Sequence, residues 1–120
     1  MTKGTITHVE FPADDVEAAK RFYGAVAGWE FGATEGFQDY WTFRSEEGHG
    51  GAIGKRDVSA PHDVRVYVTV PKLEDAIAAA ESNGGSVCQP ATEIPGMGRY
   101  AAVHDPDGNE VGLWEDTQAG

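Results

Sequence analysis

Tyr100-Ala101-Ala102-Val103-His104-Asp105-Pro106-Asp107-Gly108-Asn109-Glu110-Val111-Gly112-Leu113-Trp114-Glu115 reads as two short apolar strands around a tight turn. Pro106 fixes one backbone dihedral and Gly108 supplies a positive one, the combination a hairpin turn needs. Working upstream, Ser86 to Cys88 is a further strand candidate and Leu73 to Asn83 is an Ala-rich helical run. Val64 to Val70 is a β-branched strand, with Pro71 as its stop. The order is strand, helix, three strands.

The same order occurs once before. Thr5 to Phe11 is strand-like and ends at Pro12; Asp14 and Asp15 can cap a helix in which Val16, Ala19, Phe22, Tyr23 and Val26 recur at three- and four-residue steps until Gly28. Trp29 to Gly32, Asp39 to Arg44 and Gly51 to Lys55 follow as strands, and the polar segment Arg56 to Asp63 joins the halves. Val16-Glu17 and Gly28 recur as Leu73-Glu74 and Gly85, so the interval from helix start to terminating glycine is preserved. This self-similarity suggests duplication within a single domain over 1–120, with one module at about 1–57 and the other at about 62–120. Each half alone leaves one face of a small sheet bare, so the two sheets are expected to pack or close together.

The totals exclude several classes. Twenty acidic against 9 basic side chains give a formal net charge of −11, with no Lys/Arg run to neutralise phosphates. Nucleic acid and anionic membranes are not expected partners. The apolar stretches are far shorter than the roughly 20 residues a bilayer helix needs, and Met1-Thr2-Lys3 leads straight into a strand-like segment without a signal-peptide pattern. Cys88 is the only cysteine, so no internal disulfide can form. These features point to a cytoplasmic protein. No nucleophile elbow, phosphate-cradling glycine loop or zinc-spaced cysteine pair occurs.

His8-Val9-Glu10-Phe11-Pro12, Asp14 through Tyr23, Gly28-Trp29, Ile94 through Tyr100 and Asp105 through Glu115 together resemble the glyoxalase/bleomycin-resistance/dioxygenase (vicinal oxygen chelate) superfamily. The resemblance covers nearly the whole chain. It implies an α+β fold in which two tandem βαβββ modules form a curved, mostly antiparallel sheet around a cup, with homodimers common. Because that fold hosts isomerases, dioxygenases, resistance enzymes and pure drug binders, fold alone does not choose a function.

The resemblance implies metal ligands near the start of the first strand and the end of the last strand of each module, places where His8 and Glu115 stand. Imidazole and carboxylate suit Zn, Mn, Fe or Ni. The matching places at Val66 and at Gly54 or Lys55 carry no ligand; Tyr67, beside Val66, offers a plausible one, and the full set is missing. Glu10 lies two residues after His8, on the same strand face, and is a possible third ligand; His49, Glu46 and Glu47 lie in a loop from which a side chain can swing in. The favoured reading is no required cofactor, with His8 a hydrogen-bonded wall residue and Glu115 pairing with it.

A pocket for a small organic molecule is better supported. Trp41, Phe43, Tyr67, Tyr100 and Trp114 offer apolar area with polar tips, and Met97, in a Pro90 to Gly98 segment suited to a lid, offers a polarisable side chain. His104 reads as a strand-end residue, and Cys88, without a basic sequence neighbour, as a packed thiol. The leading expectation is a small-molecule-binding member with no assigned catalytic residue. The alternatives are a metal-dependent lyase, isomerase or dioxygenase using His8 and Glu115, and a non-catalytic interaction subunit.

Overall fold

A computed structural model describes residues 3–44 and 49–116; the suggested ligands Glu46 and Glu47 lie outside the described residues. The elements are β1 (Ile6–Ala13), α1 (Val16–Ala27), β2 (Gly32–Ala33), β3 (Tyr40–Arg44), β4 (Gly50–Lys55), then β5 (Arg65–Thr69), α2 (Leu73–Ser82), β6 (Ser86–Ile94), β7 (Gly98–His104) and β8 (Glu110–Asp116). Two compact units result, Thr7–Arg65 and a second of residues 66–116 with residues 3–6. Gly4 and Thr5 bond to Thr69 in the second unit. No helix of the described residues is long and apolar enough to cross a membrane.

Each unit is a βαβββ module with the same internal plan. In the first, strands run β2-β3-β4-β1, antiparallel except for the parallel pair β1/β4. In the second they run β5-β8-β7-β6, with β5/β8 as the parallel pair. The helix in each module supplies the crossover that a parallel pair requires.

α1 starts where Asp15 accepts the Ala18 N–H at 3.1 Å and stops where Gly28 adopts φ 73°, a left-handed cap that costs glycine least. Its apolar stripe covers one sheet face. Phe11, Ile53 and Trp41 stand in one cross-strand row and pack with Ala13, Val16, Ala19 and Tyr23. In the second module α2 covers Val70, Ala101, Val103 and Leu113. Ile53 and Leu73 are fully buried, each contributing roughly 1.5–3 kcal/mol relative to exposure.

Three strand expectations shift. β1 continues through Pro12 to Ala13, because proline removes a donor and leaves its carbonyl for the ladder. Trp29 is not in a strand: its ring stacks on Phe43 at 3.9 Å, leaving β2 only two residues long. β6 runs on to Ile94 and absorbs Pro90, tolerated on the outer strand of its module's order. The expected lid segment from Pro90 to Gly98 therefore shrinks to the turn Pro95–Met97.

Candidate functional site

Strand parity determines what the first module presents on the sheet face away from α1. Phe11, Ile53 and Trp41 point under the helix, so His8, Glu10 and Pro12 of β1, Gly50, Ala52 and Gly54 of β4, and Tyr40, Thr42 and Arg44 of β3 point the other way. The middle strand is nearly bare on this side. Tyr40 can thus lie across β4 and reach β1, where its hydroxyl donates to Glu10 Oε2 at 2.5 Å and lies 2.9 Å from His8 Nε2. With the hydroxyl proton given to Glu10, His8 Nε2–H is the donor to the Tyr40 oxygen.

His8 and Glu10 are themselves 3.9 Å apart, with side-chain exposures of 32% and 12%. Burial holds the His8 pKa below its ordinary value, and the Glu10 charge opposes that shift only in part. The imidazole is therefore neutral at pH 7 and can carry a proton only at a cost. A carboxylate, a phenol and a neutral imidazole in series can orient a bound oxygen or relay a proton.

Tyr40 is absent from the residues expected at the site. The signal for it was the run Gly50-Gly51-Ala52-Ile53-Gly54, whose even positions leave one face of β4 without bulk.

Glu115 is used differently. Its carboxylate receives the Arg99 guanidinium at 2.8–3.0 Å and the Leu73 N–H at 2.7 Å, while Arg99 also pairs with Glu74. It stands with Leu113 on the face that α2 covers. Arg99 lowers the Glu115 pKa, assisted by the Leu73 N–H. The partner expected for Glu115 was His8; the partners found are Arg99, Leu73 and, through Arg99, Glu74.

Among the expected ligand-wall residues, Trp41 and Phe43 belong to the apolar packing beneath α1, Phe43 being 8% exposed and ringed by Phe11, Trp29 and Phe31. Their alternation was legible, but the helix covers the face they share. Tyr67, Tyr100 and Trp114 do come together, on the second module's face away from α2. The Tyr67 ring lies over Gly112 and the Trp114 ring over Gly98, where a Cβ would meet ring carbons at 2.4 and 2.7 Å. Glycine at both positions lets the rings lie flat as an aromatic floor. Met97 is exposed in the β6–β7 turn. Cys88, expected to be packed, is exposed.

The model of the Glyoxalase/Bleomycin resistance protein/Dioxygenase superfamily matches residues 5–113. The chain belongs to this superfamily. It is 28% identical over 120 residues to "Putative glyoxylase CFP32" of Mycobacterium bovis, covering 94% of this chain and 46% of the relative, so it spans about half the length of that curated relative. Among solved structures, a glyoxalase/bleomycin resistance protein/dioxygenase superfamily member from Vibrio splendidus 12B01 aligns with a TM-score of 0.68 at 13% identity, covering 94% of this chain and 98% of the other. A Streptomyces coelicolor methylmalonyl-CoA epimerase in complex with 2-nitronate-propionyl-CoA aligns at 0.61 and 15%, covering 97% and 99%. At these identities the shared property is the superfamily fold, the α+β arrangement of paired βαβββ modules.

Proposed function

We propose that this superfamily member binds a small, oxygen-bearing organic molecule, with His8, Tyr40 and Glu10 as the polar anchor and proton-handling group and no divalent cation required there. The observation that carries the reading is the Tyr40 hydroxyl seated between His8 Nε2 and Glu10 Oε2. It occupies the place a cation shared by those two groups would take. The strand beside β1 offers Gly50, Ala52 and Gly54 on that face, none with a ligand side chain, and Glu115 already serves Arg99 and the start of α2. Within the second module, Tyr67, Tyr100 and Trp114 offer an apolar surface of their own to an organic ligand. Acyl-CoA thioesters are the first ligand class to try, because the S. coelicolor epimerase was solved with one.

A metal-dependent lyase, isomerase or dioxygenase is the second reading. The 3.9 Å between His8 Nε2 and Glu10 Oε2 favours it, since one ion could take both atoms. Zn, Mn, Fe or Ni held there would then polarise a substrate oxygen.

Both readings are separated by titrating propionyl-CoA and a 2-oxoaldehyde into protein purified without an affinity tag, before and after chelator treatment. Binding should survive the chelator and weaken about tenfold or more in His8→Ala and Tyr40→Phe, as expected when a buried polar partner is left unpaired. Stoichiometric metal lost on His8→Ala, together with binding abolished by the chelator, would establish the metal-dependent reading instead.

A further inference from the structure

We propose that Cys88, His104 and Glu110 form a site for one divalent cation of the Zn2+ class on the second module's sheet. The thiol, imidazole and carboxylate ligand atoms all lie within 4.8 Å of one another. None of the three belongs to the His8, Tyr40 and Glu10 group, and the proposal does not depend on what that group binds.

The backbone brings them together by three separate devices. His104 and Glu110 are direct cross-strand partners at the turn end of the β7–β8 hairpin. Their neighbours Val103 and Val111 pack under α2, so by strand alternation His104 and Glu110 share the opposite face. The turn between them is held by Asp105, whose carboxylate accepts the Asp107 and Asn109 N–H groups, each at 2.9 Å, and the Asn109 side-chain amide. Two ligands therefore project from a braced hairpin rather than from a loose loop. Cys88 arrives from β6 at a register shift: Val87 pairs with Val103 and Gln89 with Ala102, so Cys88 is the extra residue of a bulge. A bulge re-aims a side chain that regular pairing would hold in the ladder.

The donor chemistry selects the ion. One sulfur, one nitrogen and one oxygen suit a borderline cation such as Zn2+, whose bonds to these atoms run about 2.0–2.3 Å. Mg2+ and Ca2+ prefer all-oxygen shells and are disfavoured. Tetrahedral coordination would bring the ligand atoms to roughly 3.3–3.8 Å from one another, a contraction within rotamer adjustment of an exposed cysteine and a half-buried glutamate. Three protein ligands leave the fourth position to water, and the exposure of Cys88 leaves it accessible. The net charge of −11 raises the local concentration of cations.

Because Cys88 is the only cysteine, its reaction with a thiol reagent reports on this site alone. With Zn2+ as the probe, one equivalent should slow modification of Cys88 by about tenfold or more, and Co2+ in its place should give thiolate-to-metal charge-transfer absorption. His104→Ala and Glu110→Gln should each weaken the protection about tenfold. Cys88→Ser should remove the absorption, and His8→Ala should leave both readouts as they are. Absence of protection at stoichiometric Zn2+ in the unaltered chain would overturn the site. So would equal protection in His104→Ala, or loss of protection in His8→Ala.

Discussion

Both modules begin a helix three residues past the same ladder position, and they solve the problem with opposite charges. In the first, Asp15 caps α1 from within the chain, and Lys55, paired with Ala13 in the ladder, sends its ammonium to the Asp14 carbonyl at 2.7 Å. In the second, the cap position holds Lys72, whose side chain has no oxygen to offer the helix, and Glu115, one residue past the last β5/β8 pair, takes the place corresponding to Lys55. Glu115 reaches over to accept the Leu73 N–H, and its negative charge complements the α2 N-terminus. Acid and base have exchanged places between the two copies. A carboxylate at the end of the last strand thus has a structural use that the superfamily resemblance did not suggest.

The two modules also distribute their aromatics differently. The first gathers Phe11, Tyr23, Trp29, Phe31 and Phe43 under α1 and keeps its polar chain on the other face. The second fills its helix side with aliphatics and lays Tyr67, Tyr100 and Trp114 on the far face. The sharpest way to break this contrast is Phe43→Ala. As packing beneath a helix, Phe43 should cost about 3–5 kcal/mol when truncated, read by denaturant unfolding, with an unchanged slope. A cost under about 1 kcal/mol would mean that the ring lines a solvent-accessible hollow, as its alternation with Trp41 first implied.

The exchanged charges give the next effect in size. Glu115→Gln should cost about 1–2 kcal/mol near neutral pH, since the pair with Arg99 is charged but partly exposed. Its pH dependence has a definite sign. Arg99 holds Glu115 below the usual carboxylate range and Glu74 at about 2, so both contribute stability above the unfolded value near 4.5 and lose it as pH falls toward 2. Glu115→Gln should flatten that acid limb in thermal melts. Adding Lys72→Asp supplies α2 with the local cap that α1 has, and should recover most of the loss. If the double variant is no better than Glu115→Gln, the two corners are not equivalent.

What could be read in advance was local and periodic. The helices, the Asp15 cap, the Gly28 stop and the Asp105–Asn109 turn follow from side-chain chemistry within a few residues. The duplicated order follows from their spacing. What could not be read depended on which sheet face a helix covers and on register between strands far apart in sequence. Trp41 and Phe43 alternate as a cavity wall would, yet alternation does not say which side is covered. His8 and Glu10 were visible as a pair, whereas Tyr40, 30 residues on from Glu10, joins them only because Gly50, Ala52 and Gly54 clear its path. Cys88 meets His104 and Glu110 through a bulge that no single strand encodes.

The smallest expected effect falls on that polar chain, and it separates a proton relay from a wall of hydrogen bonds. Tyr40→Phe removes one hydroxyl from between two groups and should cost about 1 kcal/mol, the usual net worth of such a bond. Its more informative readout is the His8 titration, followed by imidazole NMR. In the unaltered chain burial keeps His8 below 6.5, so stability declines as pH falls from about 6.5 to the folded value, where the unfolded imidazole binds a proton that the folded one refuses. Without the hydroxyl, His8 faces the Glu10 carboxylate across 3.9 Å, and an opposite charge at that distance favours the protonated ring. The His8 pKa should therefore rise in Tyr40→Phe and fall back in Tyr40→Phe/Glu10→Gln. A value that does not move in either variant would show that burial alone sets it and that Tyr40 transmits nothing between the imidazole and the carboxylate.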